Sequence, residues 1–432
     1  MLPIVWSKIE TLNRKDLEKI QISRLKQTLK KAYEKIPFYR RLLKGNNVDI
    51  DFIRSLDDLR KIPFTSKDDL RNNYPYGLLA VSLDEIVEIH SSSGTTGKPT
   101  VIAYTQRDVE NWSEIMARSL VAANVTREDI MLISYSYHMF TGGLGFHYGA
   151  LKLGVIAIPM GSGYTQRQVK VIKDLGVTVL ASTPNYSLRI AEVAESMGID
   201  PLSLNVKRGI FGAEPWSESL RKKIEETWGL EAYDIYGLSE LYGPGVAVEC
   251  EKHEGLHVWE DHYIVEVVDP RSGEPLEPEE EGEIVITTLT HDAMPLIRYR
   301  TGDLSYIIDS RECDCDRTHV RIGRIKGRKD DMLIINGVNV WPKAIEEVIL
   351  SFKEAIPQYQ IIIDNQGVMD KLEIMVEANV KGIEREKLEE KIRNALKETV
   401  LVTPEVKIVD PGTLLRTDGG KVRRVIDRRK IK

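Results

Sequence analysis

Cysteine is scarce in this chain of 432 residues: three are too few to staple it. A disulfide-built secreted scaffold is excluded, and a reducing cytoplasm is the expected compartment. No apolar run approaches the roughly 20 residues that a membrane span needs. The start of the chain lacks the basic lead-in of a secretory signal, so none is expected. Charge of one sign is also lacking. The 60 Lys and Arg against 66 Asp and Glu leave a net charge of −6, which gives no electrostatic reason to expect a nucleic-acid partner. There is no internal repeat and no low-complexity tract. What is present is globular in kind: 42% hydrophobic and 29% charged residues argue against disorder. The length implies two or three domains at roughly 150 residues each.

Residues 1–90 read mainly as helix, with Leu17, Ile20, Leu25, Leu29 and Ala32 at helical spacing. This helical N-terminus also offers an association surface, so a homodimer is an expectation. From 129 to 211 short apolar runs at 130–134, 155–159, 177–182 and 209–211 alternate with helical stretches, the pattern of βαβ units on a mostly parallel sheet. From 263 to 289 the pattern becomes β-rich. The last hundred residues or so mix strands at 332–335, 360–363 and 372–376 with helices at 342–352 and 384–398. The expected fold class is therefore α/β. A large N-terminal domain of several subdomains, 1–327, carries mostly parallel sheets and a β-rich part, and a small α+β domain, 328–432, follows.

The stretch from Ser91 to Pro99 (Ser-Ser-Ser-Gly-Thr-Thr-Gly-Lys-Pro) carries the densest chemistry. Gly94 and Gly97 let the backbone approach a ligand closely. Successive N–H groups in such a turn form an anion-binding concavity. The hydroxyls of Ser92, Ser93, Thr95 and Thr96 and the charge of Lys98 add to it, so a polyphosphate is the natural guest. A Walker A loop is excluded, because that motif needs four residues between its glycines and only two separate Gly94 from Gly97.

Three cysteines fall near one histidine. Cys250 precedes His257, and Cys313 and Cys315 form Cys-Asp-Cys. Three thiolates and an imidazole make the donor set of a closed structural zinc site. His253 competes with His257 for the fourth place.

Residues 92–99 resemble the phosphate loop of the adenylate-forming superfamily of acyl-CoA synthetases, and further stretches match in order. Gly212-Ala-Glu-Pro215 and Tyr236-Gly-Leu-Ser-Glu240 look like adenine motifs, and Tyr299-Arg-Thr-Gly-Asp303 looks like the ribose motif. Gly327-Arg-Lys-Asp-Asp331 looks like the hinge, and Gly419-Gly-Lys421 like the catalytic-lysine motif. Within the superfamily the chain is most similar to phenylacetate–CoA ligases, on Ile36-Pro-Phe-Tyr39, Ile62-Pro-Phe-Thr65, Phe140-Thr-Gly-Gly143, Asp261-His262, Ala293-Met-Pro-Leu296 and Asp330-Asp-Met-Leu-Ile334.

The resemblance implies an ATP-dependent ligase for an aryl acid, working in the cytoplasm in aromatic-acid breakdown. It would form an acyl-adenylate, then a thioester with coenzyme A, releasing AMP and pyrophosphate. An adenylate-forming enzyme that passes its group to a deazaflavin-type cofactor or a carrier protein is the alternative. The implied roles are as follows. Glu240 holds Mg2+, Lys98 and Lys421 serve catalysis, and Asp303 binds the ribose hydroxyls with Arg328 or Arg324 beside it. Gly212, Ala213, Glu214, Pro215, Asp234, Ile235, Tyr236, Gly237 and Ser239 line the nucleotide, with Ser92, Ser93, Gly94, Thr95, Thr96 and Gly97 on its phosphates. Tyr135, Tyr137, His138 and Phe140 face the aryl group, an aromatic set suited to such an acid. Asp330 is the hinge on which the C-terminal domain rotates, and Gly337 lets the coenzyme A arm pass.

Overall fold

The computed structural model describes residues 5–92, 99–309, 313–366, 369–416 and 424–430. Its centre is an eight-stranded sheet. In spatial order the strands are Arg321–Ile322, Leu256–Val258, Ala247–Glu249, Glu231–Tyr236, Arg208–Gly212, Val179–Ser182, Ile130–Ile133 and Ile156–Pro159. The last five are parallel, and the first three join antiparallel to them. The central parallel strands Ile130–Ile133 and Val179–Ser182 are almost wholly apolar because helices cover both faces. Among those helices, Thr165–Leu175, Pro184–Ser196 and Glu218–Trp228 build one apolar layer around Phe211, Trp216 and Trp228. The expected βαβ alternation from 129 to 211 is thus the observed one.

The N-terminal helix Arg14–Lys35 lays Leu25, Leu29 and Ala32 into the main core. Its apolar stripe is taken up inside the chain, and the opposite face is charged. The β-rich segment forms a four-stranded antiparallel sheet in the order Tyr263–Val268, Gly282–Thr288, Tyr299–Ser305, Gly327–Arg328. A further sheet in the order Glu405–Val409, Met369–Ala378, Ala355–Gln366, Val425–Asp427 packs on helices Pro342–Leu350 and Ile383–Val400. It has its own core, made of Ile345, Ile361, Ile374, Ile392 and their neighbours. No described helix is long and apolar enough to cross a membrane.

The parallel strands matter for function because ligands of such sheets bind beyond the strands' carboxyl ends. Four of those ends lead directly into residues 134–141, 183–185, 212–215 and 236–240. Three of the four are stretches that the sequence singled out.

Candidate active site

Strands Ile86–Ser91 and Val101–Thr105 pair antiparallel on either side of the glycine- and hydroxyl-rich stretch. Ser93, Gly94, Thr95, Thr96, Gly97 and Lys98 themselves lie outside the described residues, as does Lys421. The flanks are well tied. Ser92 N donates to the Thr100 carbonyl at 3.1 Å, and Thr100 Oγ1 donates to Ser92 Oγ at 2.8 Å. Thr100 Oγ1 also lies 3.1 Å from Glu240 Oε1, and Lys67 Nζ is 3.8 Å from the same oxygen. Glu240 is buried. A buried carboxylate beside a phosphate-type loop, with one lysine at ion-pair distance, is a hard oxygen site suited to Mg2+. Ser239 lies next to it, 3.3 Å from Thr141 Oγ1.

The second half of the site is built on the antiparallel sheet. Asp303 pairs with Arg328 across the ladder, and Arg328 Nη1 donates to Asp303 Oδ1 at 3.1 Å. Tyr236 Oη donates to Asp303 Oδ2 at 2.8 Å. Burial and the adjacent carboxylate push the Tyr236 phenol well above its ordinary pKa, so it stays protonated and can donate to Asp303. Gly302 makes this pairing possible. Its φ is +80°, and a Cβ there would stand 2.9 Å from Arg328 Nη2.

The sequence offered Arg324 beside Arg328, and the structure separates them. Arg324 stacks 4.4 Å over Trp216 and pairs with Asp234 Oδ2 at 3.1 Å and Glu218 Oε2 at 2.8 Å. Burial raises the Asp234 pKa, and Arg324 counters it. Ile235 and Tyr236 are buried at the end of their strand, with Gly237 half-buried just past it. On the neighbouring strand Gly212 is buried, since a Cβ there would stand 2.2 Å from the Ile235 carbonyl. Ala213 and Pro215 are exposed, and Glu214 Oε1 accepts from Asn185 Nδ2 at 2.8 Å.

On the acid side, Tyr135 is buried and stacked on Phe146 with centroids 5.0 Å apart. Tyr137 is half-buried, edge-on to His147 at 6.0 Å. His138 and Phe140 are exposed, and His138 Nδ1 is 2.9 Å from Ser136 Oγ. Met139 O accepts from Ser91 N at 2.9 Å, which ties this segment to strand Ile86–Ser91.

Asp330 is exposed and 3.2 Å from Arg328 Nε. Gly337 forms a tight hairpin with Asn336, at φ of 83° and 49°, joining Leu333–Ile335 to Val338–Val340.

Away from this cleft, one ligand atom each from Cys250, His257, Cys313 and Cys315 lies within 4.8 Å of the others, all buried. Cys250 and Cys313 sulfurs are 3.7 Å apart, and Cys315 Sγ is 3.3 Å from His257 Nε2. His257 Nδ1 donates to the His319 carbonyl at 3.2 Å, which leaves Nε2 as the free donor for a metal. His253 lies elsewhere, between Glu249 and Glu231. Sequence reasoning missed Lys67, Thr100 and Asn185. Thr100 was accessible, since it immediately follows the Gly-Lys-Pro that closes the loop. Lys67 and Asn185 carry no local signal.

Residues 44–290 match the family model of the AMP-binding enzyme, and residues 337–429 match that of the AMP-binding enzyme C-terminal domain. A phenylacetate–coenzyme A ligase of Thermus thermophilus is 46% identical over 440 residues, covering 98% of this chain and 99% of that protein. The chain belongs to the phenylacetate–CoA ligase family. Among solved structures, a 2-hydroxyisobutyryl-CoA ligase in the postadenylation state, in complex with R3-HIB-AMP, superposes with a TM-score of 0.93 at 27% identity. That match covers 100% of this chain and 94% of that one. The same ligase in the thioesterification state, with 2-HIB-AMP and CoA, reaches only 0.73 at 28% identity, covering 97% and 91%. The chain's overall arrangement is thus more similar to the first of these two structures than to the second.

Proposed function

We propose that this chain is an AMP-forming acid–CoA ligase whose acid is phenylacetate or a closely related aryl acid. One arrangement carries this: Glu240 with Ser92 and Thr100 on one side, and Asp303 with Tyr236 and Arg328 on the other, at the carboxyl ends of the parallel strands. The aromatic segment 135–140 runs beside them.

In the first step a carboxylate oxygen of the acid attacks the α-phosphorus of ATP, and pyrophosphate leaves. In the second the thiolate of coenzyme A attacks the acyl carbon, and AMP leaves. Asp303 accepts both ribose hydroxyls, and Tyr236 and Arg328 hold its two oxygens in place. Glu240 would hold Mg2+, which neutralises phosphate charge during the transfer. Lys98 and Lys421 are the remaining cations for the developing charge. Residues 328–432 would turn on Asp330 between the two steps, with Gly337 opening the path of the thiol arm.

A tetrahedral zinc ion fits the Cys250, His257, Cys313 and Cys315 donor set. It would tie the loop carrying Cys313 and Cys315 to strand Leu256–Val258, and three reduced thiols held this way suit a cytoplasmic location.

The test is phenylacetate-dependent ATP–pyrophosphate exchange, followed by AMP release when coenzyme A is added. ADP as product, or exchange without any coenzyme A-dependent AMP, would overturn the proposal. Metal analysis of the purified protein should give one zinc per chain.

A further inference from the structure

Arg424 belongs to none of the motifs above, yet it bridges two parts of the molecule. Its guanidinium lies 4.4 Å over the Tyr359 ring. Nη1 donates to Gln358 Oε1 at 3.1 Å and to the Tyr359 carbonyl at 3.3 Å, and Nη2 donates to the Pro357 carbonyl at 2.9 Å. All of these partners sit on the C-terminal strand Ala355–Gln366. One bond leaves that body: Nη2 donates to Asn185 Oδ1 at 2.6 Å. Asn185 is buried in the first turn of helix Pro184–Ser196. It donates through Nδ2 (2.8 Å) and its backbone N (3.3 Å) to Glu214 Oε1. Glu214 stands in the 212–215 turn that leaves the parallel strand toward the nucleotide motifs.

A second grip lies close by. Tyr359 Oη donates to Glu346 Oε2 at 2.9 Å, and Glu346 Oε1 accepts from Ser217 N at 3.1 Å. The segment from Glu214 to Ser217 is therefore held by the C-terminal body directly at Ser217 and, through Asn185, at Glu214. A planar, five-donor fork that also stacks is the side chain that can make these bonds at once, and a lysine cannot. Burial pushes the Glu214 carboxyl upward, and the Arg424 charge opposes that.

We propose that Arg424 is a positioning residue for adenylation, acting through Asn185 and Glu214 to fix the 212–215 turn while the C-terminal body is docked. This rests on the two-step ligase reading. The whole chain superposes better on the postadenylation state of the 2-hydroxyisobutyryl-CoA ligase (TM-score 0.93) than on its thioesterification state (0.73), and the contact would open between the two steps.

The test separates the halves of the reaction in Arg424→Gln, Arg424→Lys and Asn185→Ala. A lost charge-assisted hydrogen bond corresponds to at least about a tenfold effect. Phenylacetate-dependent ATP–pyrophosphate exchange should fall by that factor or more in all three. AMP release from supplied phenylacetyl-adenylate and coenzyme A should stay within about twofold of the parent. Arg424→Gln combined with Asn185→Ala should lose little more than either alone, as expected for one relay. Unchanged exchange, or equal loss in both halves, overturns the proposal. A parent without exchange would refute the ligase reading instead. Docking is then read without substrate, in a Ser219→Cys/Glu347→Cys background cross-linked by a short bis-maleimide. Ser219 Oγ and Glu347 Oε1 are 2.8 Å apart across the same junction. Cross-linking should slow about tenfold on adding Arg424→Gln, and an unchanged rate also overturns the proposal.

Discussion

Buried histidines, His262 and His291 foremost, should make this protein lose stability steeply in mild acid. Burial pushes His262 from 6.5 down to about 3 and His291 well below 6.5. His262 Nε2 lies 3.2 Å from Asp261, but Arg118 already matches that carboxylate at 2.6 Å, so a second cation gains little there. His291 stacks on Tyr242 with centroids 3.3 Å apart, and its Nε2 has no partner among the described residues. Both rings stay neutral in the fold and take up protons only on unfolding. The unfolded chain then binds more protons below 6.5, so stability is fully present above that pH and is lost as pH falls. Each ring contributes about 1.4 kcal/mol per pH unit in this window. At pH 5 that is about 2 kcal/mol for His262, with His291 and the likewise lowered His319 acting in the same direction, against a typical total of about 5–15 kcal/mol. Urea unfolding from pH 8 to 5 should show a flat midpoint to about pH 6.5 and a steep fall below it. His291→Phe, which keeps the stack, should make that slope measurably shallower. A flat profile down to pH 5, or a slope unchanged by the substitution, would refute the reasoning.

Three further outcomes are expected. Tyr236→Phe removes the phenol that donates to Asp303 and should raise the KM for ATP in the exchange assay about tenfold or more. Gly302→Ala forces a side chain to φ +80° against Arg328, at about 1–2 kcal/mol by urea titration, with loss of exchange. Removing the metal with a strong chelator, or Cys315→Ser, should abolish bound zinc and lower the melting temperature by several degrees, while a protein of unchanged Tm would count against a structural role.

Much of this architecture was legible in the chain. The expected strands at 130–134, 155–159, 177–182 and 209–211 became Ile130–Ile133, Ile156–Pro159, Val179–Ser182 and Arg208–Gly212. Fully buried parallel strands leave continuous apolar runs that are hard to mistake. Strand 360–363 grew to Ala355–Gln366, one of the two central strands of its sheet, because its ends alternate apolar with polar residues and continuous apolar runs do not mark the limits. Spacing left His253 and His257 open, because only the pairing of Leu256–Val258 with Arg321–Ile322 carries His257 to the two later cysteines. Arg324 and Arg328 looked equivalent for the same reason: the ladder that sets Arg328 opposite Asp303, and the Trp216 ring that captures Arg324, are long-range facts. Arg424 carries no local signal, since nothing near it in the sequence announces a partner 239 positions away.

The junction around the C-terminal body is largely polar. Arg416 meets Glu192 at 3.1 Å, Lys343 Nζ donates to the Ile325 carbonyl at 2.8 Å, and Ser219 meets Glu347. Each of these groups finds water when the contact opens, whereas an apolar seam would have to expose its area anew at about 25 cal/mol per Å2. An enzyme turning over about ten times a second has about 16 kcal/mol of barrier for its slowest step. If the body swings once per cycle, undocking must fit under that ceiling, which caps how tightly the two faces can hold each other. Substitutions that grease this seam with leucine or valine should therefore raise the melting temperature and slow the enzyme in the same stroke.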